Sequence, residues 1–206
     1  MRCIVNTDYS ILFTQQSYLD FLHCLSKPLY SQYFTTLFES FVPFHHYDFS
    51  PDAIRMLSLP NAGGHSENSE ALSFELIHRM FGATLDKAEM EIHYANEHWK
   101  KTDYVCRIKS HRLGVSVTRA VGFPKPENFD IGQAASLLKK KLFGICVSSV
   151  GVEDDDKWER QLLHVWCQSP SNALLLRDAY SALHESLRGD TIVILTIAEN
   201  HKWIFS

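Results

Sequence analysis

The chain has 206 residues, 45% hydrophobic and 12% aromatic against 21% charged. This balance excludes a disordered tail or a coiled coil and leaves room for one well-buried domain, a second full domain being cramped. The formal net charge of −4 hides an asymmetry: between Lys100 and Lys141 ten Lys/Arg face three acids, so that segment is +7 and the remainder −11, a local field of the kind a polyanion site needs.

The five cysteines are scattered, without a Cys-x-x-Cys pair, and read as buried small hydrophobes in a reducing compartment. No long apolar core precedes Asp8, and no apolar run approaches the roughly 20 residues that span a bilayer. The expectation is an intracellular protein, cytoplasmic or nuclear, without a membrane partner.

Residues 1–59 are rich in aromatics. Ser17–Leu22 and Leu29–Phe41 have apolar spacing that suits helices, with Pro28 starting the second and Pro43 following it. Ser50-Pro51-Asp52 has the form of an N-cap with proline at the first helical position, opening a short helix to about Leu57. The expectation over 1–59 is a helical N-terminal extension. Residues 60–69 are polar and without periodicity, a flexible loop.

From residue 70 to 206 the elements alternate. A helix over Glu70–Phe81 ends at Gly82, and strands are expected over Glu89–Tyr94, Thr102–Ile108 and Leu113–Ala120, the last two forming a hairpin around Lys109-Ser110-His111-Arg112. A helix starts near Asp130 with Ile131, Ala134, Ala135, Leu138 and Leu142 on one face; Ile145–Val150 reads equally as its continuation or as a strand. Glu153–Asp156 is an acidic surface turn, Leu162–Cys167 a strand, and Ser169-Pro170 opens a helix to Leu187, stopped by Gly189. Thr191–Ala198 is β-branched and apolar enough for a strand buried on both faces.

Helix, three strands, helix, strand is the order of a mixed α/β sheet flanked by helices. Over residues 70–168, with Glu75 on the helix, Asp103 opening the second strand and Val115-Ser116-Val117-Thr118 on the third, the chain resembles the PD-(D/E)XK nuclease superfamily. The resemblance implies a restriction-endonuclease-like αβββαβ core with Glu75 and Asp103 as ligands of a Mg²⁺ ion. It sets Ser116 and Thr118 at the catalytic positions where the family carries its acid-x-lysine. Phosphodiester hydrolysis needs carboxylates to hold the cation and a nearby lysine to orient or deprotonate water. Two-residue spacing puts both of those positions on one face of the strand. The acid and the lysine are both absent here, and Glu91, Arg119, Lys109 and Gln133 are the candidates to compensate; Arg119 would clamp phosphate but is a poor base.

The bland readings stand beside this one: Glu75 as a solvated helix residue, Asp103 as a turn residue, Ser116 and Thr118 as polar residues on a solvent face. His45-His46 and Glu91-Ile92-His93 with His98 lack the spacing of a zinc site. Two functions follow. In the first, a divergent or degenerate nuclease-fold protein engages nucleic acid through Lys101, Arg107, Lys109, Arg112, Arg119, Lys139 and Lys140. In the second, a non-catalytic scaffold of the same fold binds a protein partner.

Overall fold

The computed structural model describes residues 1–27, 31–59 and 66–205. Eight strands form one mixed sheet: β1 (Arg2–Val5), β2 (Tyr9–Phe13), β3 (Tyr33–Ser40), β4 (Thr84–Ala88), β5 (Tyr104–Ile108), β6 (His111–Ala120), β7 (Arg160–Cys167) and β8 (Ile192–Ile197). Their order in space is β1-β2-β3-β8-β7-β6-β5-β4. The middle pairs β3/β8, β8/β7 and β7/β6 are parallel, and both flanks are antiparallel.

The helices are α1 (Gln15–Ser26), α2 (Pro51–Ser58), α3 (Glu67–Phe81), α4 (Ile131–Gly151), α5 (Pro170–Ala182) and α6 (Glu185–Arg188). Their ends follow local chemistry. Side chains of Ser50, Asp130 and Ser169 cap α2, α4 and α5, and Gly82 takes the left-handed conformation after α3. Alternation along each strand feeds two cores. In β8, Ile192 and Ile194 pack with Phe21, Ala53 and Phe74 on the face of α1, α2 and α3. Val193 and Leu195 pack with Leu138, Leu142 and Leu176 on the face of α4 and α5. The succession α3, β4, β5, β6, α4, β7 is the order that the resemblance implies.

The helical reading of residues 1–59 holds at Ser17–Leu22, within α1, and from Ser50 to Leu57, at α2, and is corrected for the rest of the segment. The segment supplies three strands, and β3 pairs in parallel with β8 from the far end of the chain. Tyr33–Ser40 alternates buried Phe34, Thr36 and Phe38 with exposed neighbours, a period of two where a helix over Leu29–Phe41 was expected. The proposed start of that helix at Pro28 and Leu29, and residues 60–65 of the expected loop, lie outside the described residues; Glu67–Ser69 already belong to α3.

The first strand of the core lies at Thr84–Ala88, five residues before the expected Glu89–Tyr94. The Glu91 carboxylate accepts the Ala88 N–H at 2.8 Å and turns Glu89–Glu91 into a 3₁₀ turn. Ile145–Val150 continues α4. The acidic turn is not wholly a surface feature, because Asp156 is 2% exposed. Burial opposes its charge, but Lys87 and the His93 N–H and ring outweigh it and hold its carboxyl down at about 2.

Candidate functional site

At the end of β5 the sheet forks. Pairing between β5 and β6 begins at Tyr104 and Val115, while β6 runs on to Ala120, so its next peptide groups face an opening. Asp103, one residue before β5, fills it: its carboxylate accepts the Val117 N–H. On the same side Lys141 of α4 donates from Nζ to the Val117 carbonyl at 3.1 Å. Ser116 and Asp103 share with Lys100, Lys101, Lys140 and Lys141 a cleft of about 80 Å³. A smaller hollow under α2 and α3 brings Glu70, Glu67 and Glu89 to the other side of Asp103.

The electrostatics single out this place. Withdrawal from water, and then the Glu70 carboxylate, push Asp103 up to about 7, against the pull of Lys141 and the Val117 N–H. Burial also raises Glu70, with Glu89 adding to it and Ser66, Lys141 and Arg119 opposing. Two carboxylates that resist joint ionisation titrate as a pair, and such pairs mark functional clefts more often than chance.

Glu75 is placed elsewhere. It lies five residues beyond Glu70, about 140° round the helix, fully buried. Its carboxylate accepts from Tyr9 OH at 3.0 Å, Ser50 N–H at 2.9 Å and Arg79 Nε at 2.7 Å. Burial works against its charge, and the Ser50 and Arg79 bonds more than offset that, keeping its carboxyl below the ordinary range. The structure therefore does not bring Glu75 to Asp103; it ties α3 to β2 and to the start of α2.

Ser116 is buried beside Asp103, and Thr118 follows at the next same-face position of β6. Of the compensating candidates, Glu91 is held by Arg55 at 2.6 and 2.7 Å and Gln133 by both backbone groups of Phe123. Arg119 reaches the Ile204 carbonyl at 3.4 Å and attracts Glu70.

The basic residues divide. Lys101 and Lys140 line the cleft, and Lys139 is exposed on the same helix. Arg107, Lys109 and Arg112 sit at the hairpin, at the other end of β5. Arg107 and Arg112 pair there with Asp86, and Arg112 also caps the Asp155 and Lys157 carbonyls.

Glu70 and Lys141 were not singled out by the sequence, although Lys141 carried a signal. It falls within the apolar stripe Leu138, Leu142, Ile145 of α4, where a solvated lysine does not belong. Glu70 sits in the first turn of α3 and carried none, since acids are common there.

A larger cavity, about 540 Å³, lies elsewhere, beyond the ends of β6 and β7 against Asn172, Lys202 and Phe205. Among the described residues no group of three His, Cys, Asp or Glu is placed to hold a metal ion, and no helix is long and apolar enough to cross a membrane.

No protein-family model matches the chain. Over 162 residues it is 40% identical to the AAC-rich mRNA clone AAC4 protein of Dictyostelium discoideum, a match that covers 73% of this chain and 23% of that protein. The chain thus spans under a quarter of that relative's length. Among solved structures, SfsA of Pyrococcus furiosus in complex with Ca²⁺ is similar at 13% identity, over 69% of this chain and 70% of that one, with a TM-score of 0.30. A likeness at that score adds nothing to the topology already described.

Proposed function

We propose that this is a divergent nuclease-fold protein that engages the phosphodiester backbone of a nucleic acid at the fork between β5 and β6. The observation that carries the reading is the Asp103–Glu70 pair, raised by burial and then by a neighbouring carboxylate, Glu70 acting on Asp103 and Glu89 on Glu70, beside a cleft rimmed by four lysines.

Magnesium suits this donor set, since it takes one or two carboxylates and keeps its remaining places for water and substrate phosphate. Asp103 and Glu70 would hold it, and their shared excess of negative charge is what a dication relieves. Bound there, the ion would supply Lewis-acid stabilisation of charge on the phosphate. Lys141 takes the place of the missing strand lysine. It approaches from α4, is fixed by the Val117 carbonyl, and points a positive charge at the carboxylate pair. It orients the phosphate or a water between the two. Ser116 offers a hydroxyl to the same cleft where the family carries an acid. Lys101 and Lys140 hold the flanking phosphates.

Purified protein incubated with single- and double-stranded DNA and RNA, with Mg²⁺ or Mn²⁺ and with EDTA, tests this reading. Binding that weakens steeply with salt, and that falls on charge reversal at Lys101 or Lys140 but not at Arg107, is expected. Metal-dependent cleavage lost in Asp103→Ala and Glu70→Ala would add hydrolysis; clean binding without cleavage would leave a degenerate site that recognises phosphate. Absence of binding at low salt would sink the reading and favour the protein-interaction scaffold.

A further inference from the structure

Helix α4 carries Lys139, Lys140 and Lys141 and no acidic residue in its 21 residues. Two glycines open one line along it, Gly144 and Gly151, and the segment before Asp103 lies there. A Cβ on Gly144 would stand 3.7 Å from Lys100 Cγ, and one on Gly151 would meet the six-membered ring of Trp99 at 2.2 Å. Gly151 is therefore required by the seating of Trp99, while at Gly144 the segment packs at ordinary van der Waals distance.

The segment is pinned at both ends. The Ala95 N–H bonds the Gly151 carbonyl at 2.9 Å, and the Thr102 N–H bonds Tyr94 OH at 2.8 Å. Between these pins, Trp99 is seated on the helix yet remains 42% exposed. Phe143, next to Gly144 and three residues after Lys140, is 65% exposed. Residues three apart on a helix are surface neighbours, so Phe143 adjoins Lys140 on the rim of the cleft. Two open aromatic rings thus flank Lys100, Lys101 and Lys140; Glu97 is the single acid in this stretch of loop.

Resting on the proposed function, we infer that the cleft takes single-stranded nucleic acid, whose phosphates follow the lysines while unpaired bases stack on Trp99 and Phe143. A duplex hides its base faces inside its own stack and gains nothing from such rings. A single strand offers a π face at every base for an aromatic ring to stack on. The pinned loop holds Trp99 in place before the strand arrives, which limits the ordering cost of binding.

Fluorescence anisotropy separates the terms, using a labelled oligothymidylate, an abasic oligomer of the same length and a duplex. The oligothymidylate should bind most tightly. Trp99→Ala and Phe143→Ala should each weaken it about tenfold and leave the abasic oligomer unchanged, whereas Lys140→Glu should weaken all three. Because Trp99→Ala also removes packing on Gly151, Trp99→Phe serves as its partner and should restore part of the loss. Equal binding of abasic oligomer and oligothymidylate, or a duplex bound as tightly with the aromatic variants neutral, would overturn the inference and leave the phosphate reading standing. No binding by any probe at low salt would overturn both.

Discussion

Asp103 and Lys141 bind the two polar groups of one residue: the Asp103 carboxylate takes the N–H of Val117, and Lys141 Nζ reaches its carbonyl at 3.1 Å. Val117 pairs with His164 of β7 on one side, but on the other it has no strand partner because β5 has ended, so an acid and a base from separate elements replace it. The same arrangement that satisfies the backbone fixes a carboxylate and an ammonium side by side at the mouth of a cleft.

Replacing Lys141 should therefore have two effects. Lys141→Met leaves the Val117 carbonyl without its donor and removes the charge that restrains Asp103 and Glu70. Stability should fall by about 1 kcal/mol, more at about pH 8, where the carboxylates are charged, than near their protonated range. Lys141→Arg should recover most of the stability. Urea unfolding at the two pH values checks this, and an equal loss at both would separate Lys141 from the carboxylate pair.

Asp103 gives a pH dependence of unusual sign. Its carboxyl is raised from 3.8 to about 7 on folding. Between those values the unfolded chain has released the proton and the native state keeps it, so this group's contribution to stability declines as pH rises through the window. Asp103→Asn removes the penalty while its amide oxygen still accepts the Val117 N–H. The variant should be more stable than the parent at about pH 8, by about 1–2 kcal/mol after discounting for partial exposure and the proton shared with Glu70. The advantage should vanish towards about pH 4. Mg²⁺ should stabilise the parent and leave the variant unmoved; a response of both alike would remove Asp103 from the cation site.

Much of the core was legible because its signals are local. Gly82, Asp130 and Ser169-Pro170 end or begin helices through chemistry within a few residues of themselves, and Thr191–Ala198 has a composition that suits only a buried strand. Two failures have a common origin in long-range context. Tyr33–Ser40 has aromatic spacing that satisfies a helix as well as a strand, and what decides it is pairing with β8, some 160 residues away. Glu75 sits among buried Leu72, Phe74 and Leu76; only the folded neighbourhood of Tyr9, Ser50 and Arg79 shows that its charge is satisfied structurally. Lys141 was legible in the α4 stripe, but its target, the unpaired Val117 peptide, exists only once the sheet has forked.

Glu75 and Glu70 should respond oppositely to neutralisation. Glu75→Gln breaks a buried ion pair and should cost about 3 kcal/mol at neutral pH. Since the folded Glu75 carboxyl is held below its ordinary value, its contribution is present above the carboxylate range and is lost on acidification, so the gap to the parent should close as pH falls. Glu70→Gln relieves repulsion and should be neutral or stabilising near pH 8. Mg²⁺ titration of the two folded variants distinguishes their roles: the response should survive Glu75→Gln and fail in Glu70→Gln. The reverse pattern would return Glu75 to the site.

A buried polar chain sets the distance between the two carboxylate-bearing elements. His164 on β7 bonds Ser73 Oγ at 2.6 Å and Thr196 Oγ1 at 2.7 Å; Ser73 meets Tyr104 OH at 3.0 Å, and Thr196 meets Thr36 at 2.8 Å. Ser73 lies one turn after Glu70, and Tyr104 follows Asp103 directly, so the chain braces α3 against β5. Full burial pushes His164 down to about 3 from 6.5. Below about pH 6.5 the unfolded chain takes up a proton that the native state refuses, and stability declines as pH falls from there towards 3. The upper bound is about 5 kcal/mol. His164→Gln, which keeps hydrogen-bonding capacity without a titrating group, should be less stable than the parent at pH 7 and lose less on acidification to about pH 4. Ser73→Ala and Tyr104→Phe should share a coupling energy of about 1 kcal/mol in a double-mutant cycle, and each should weaken Mg²⁺ binding although neither touches the ion. Additive variants with an unaltered Mg²⁺ response would reduce the chain to core packing alone.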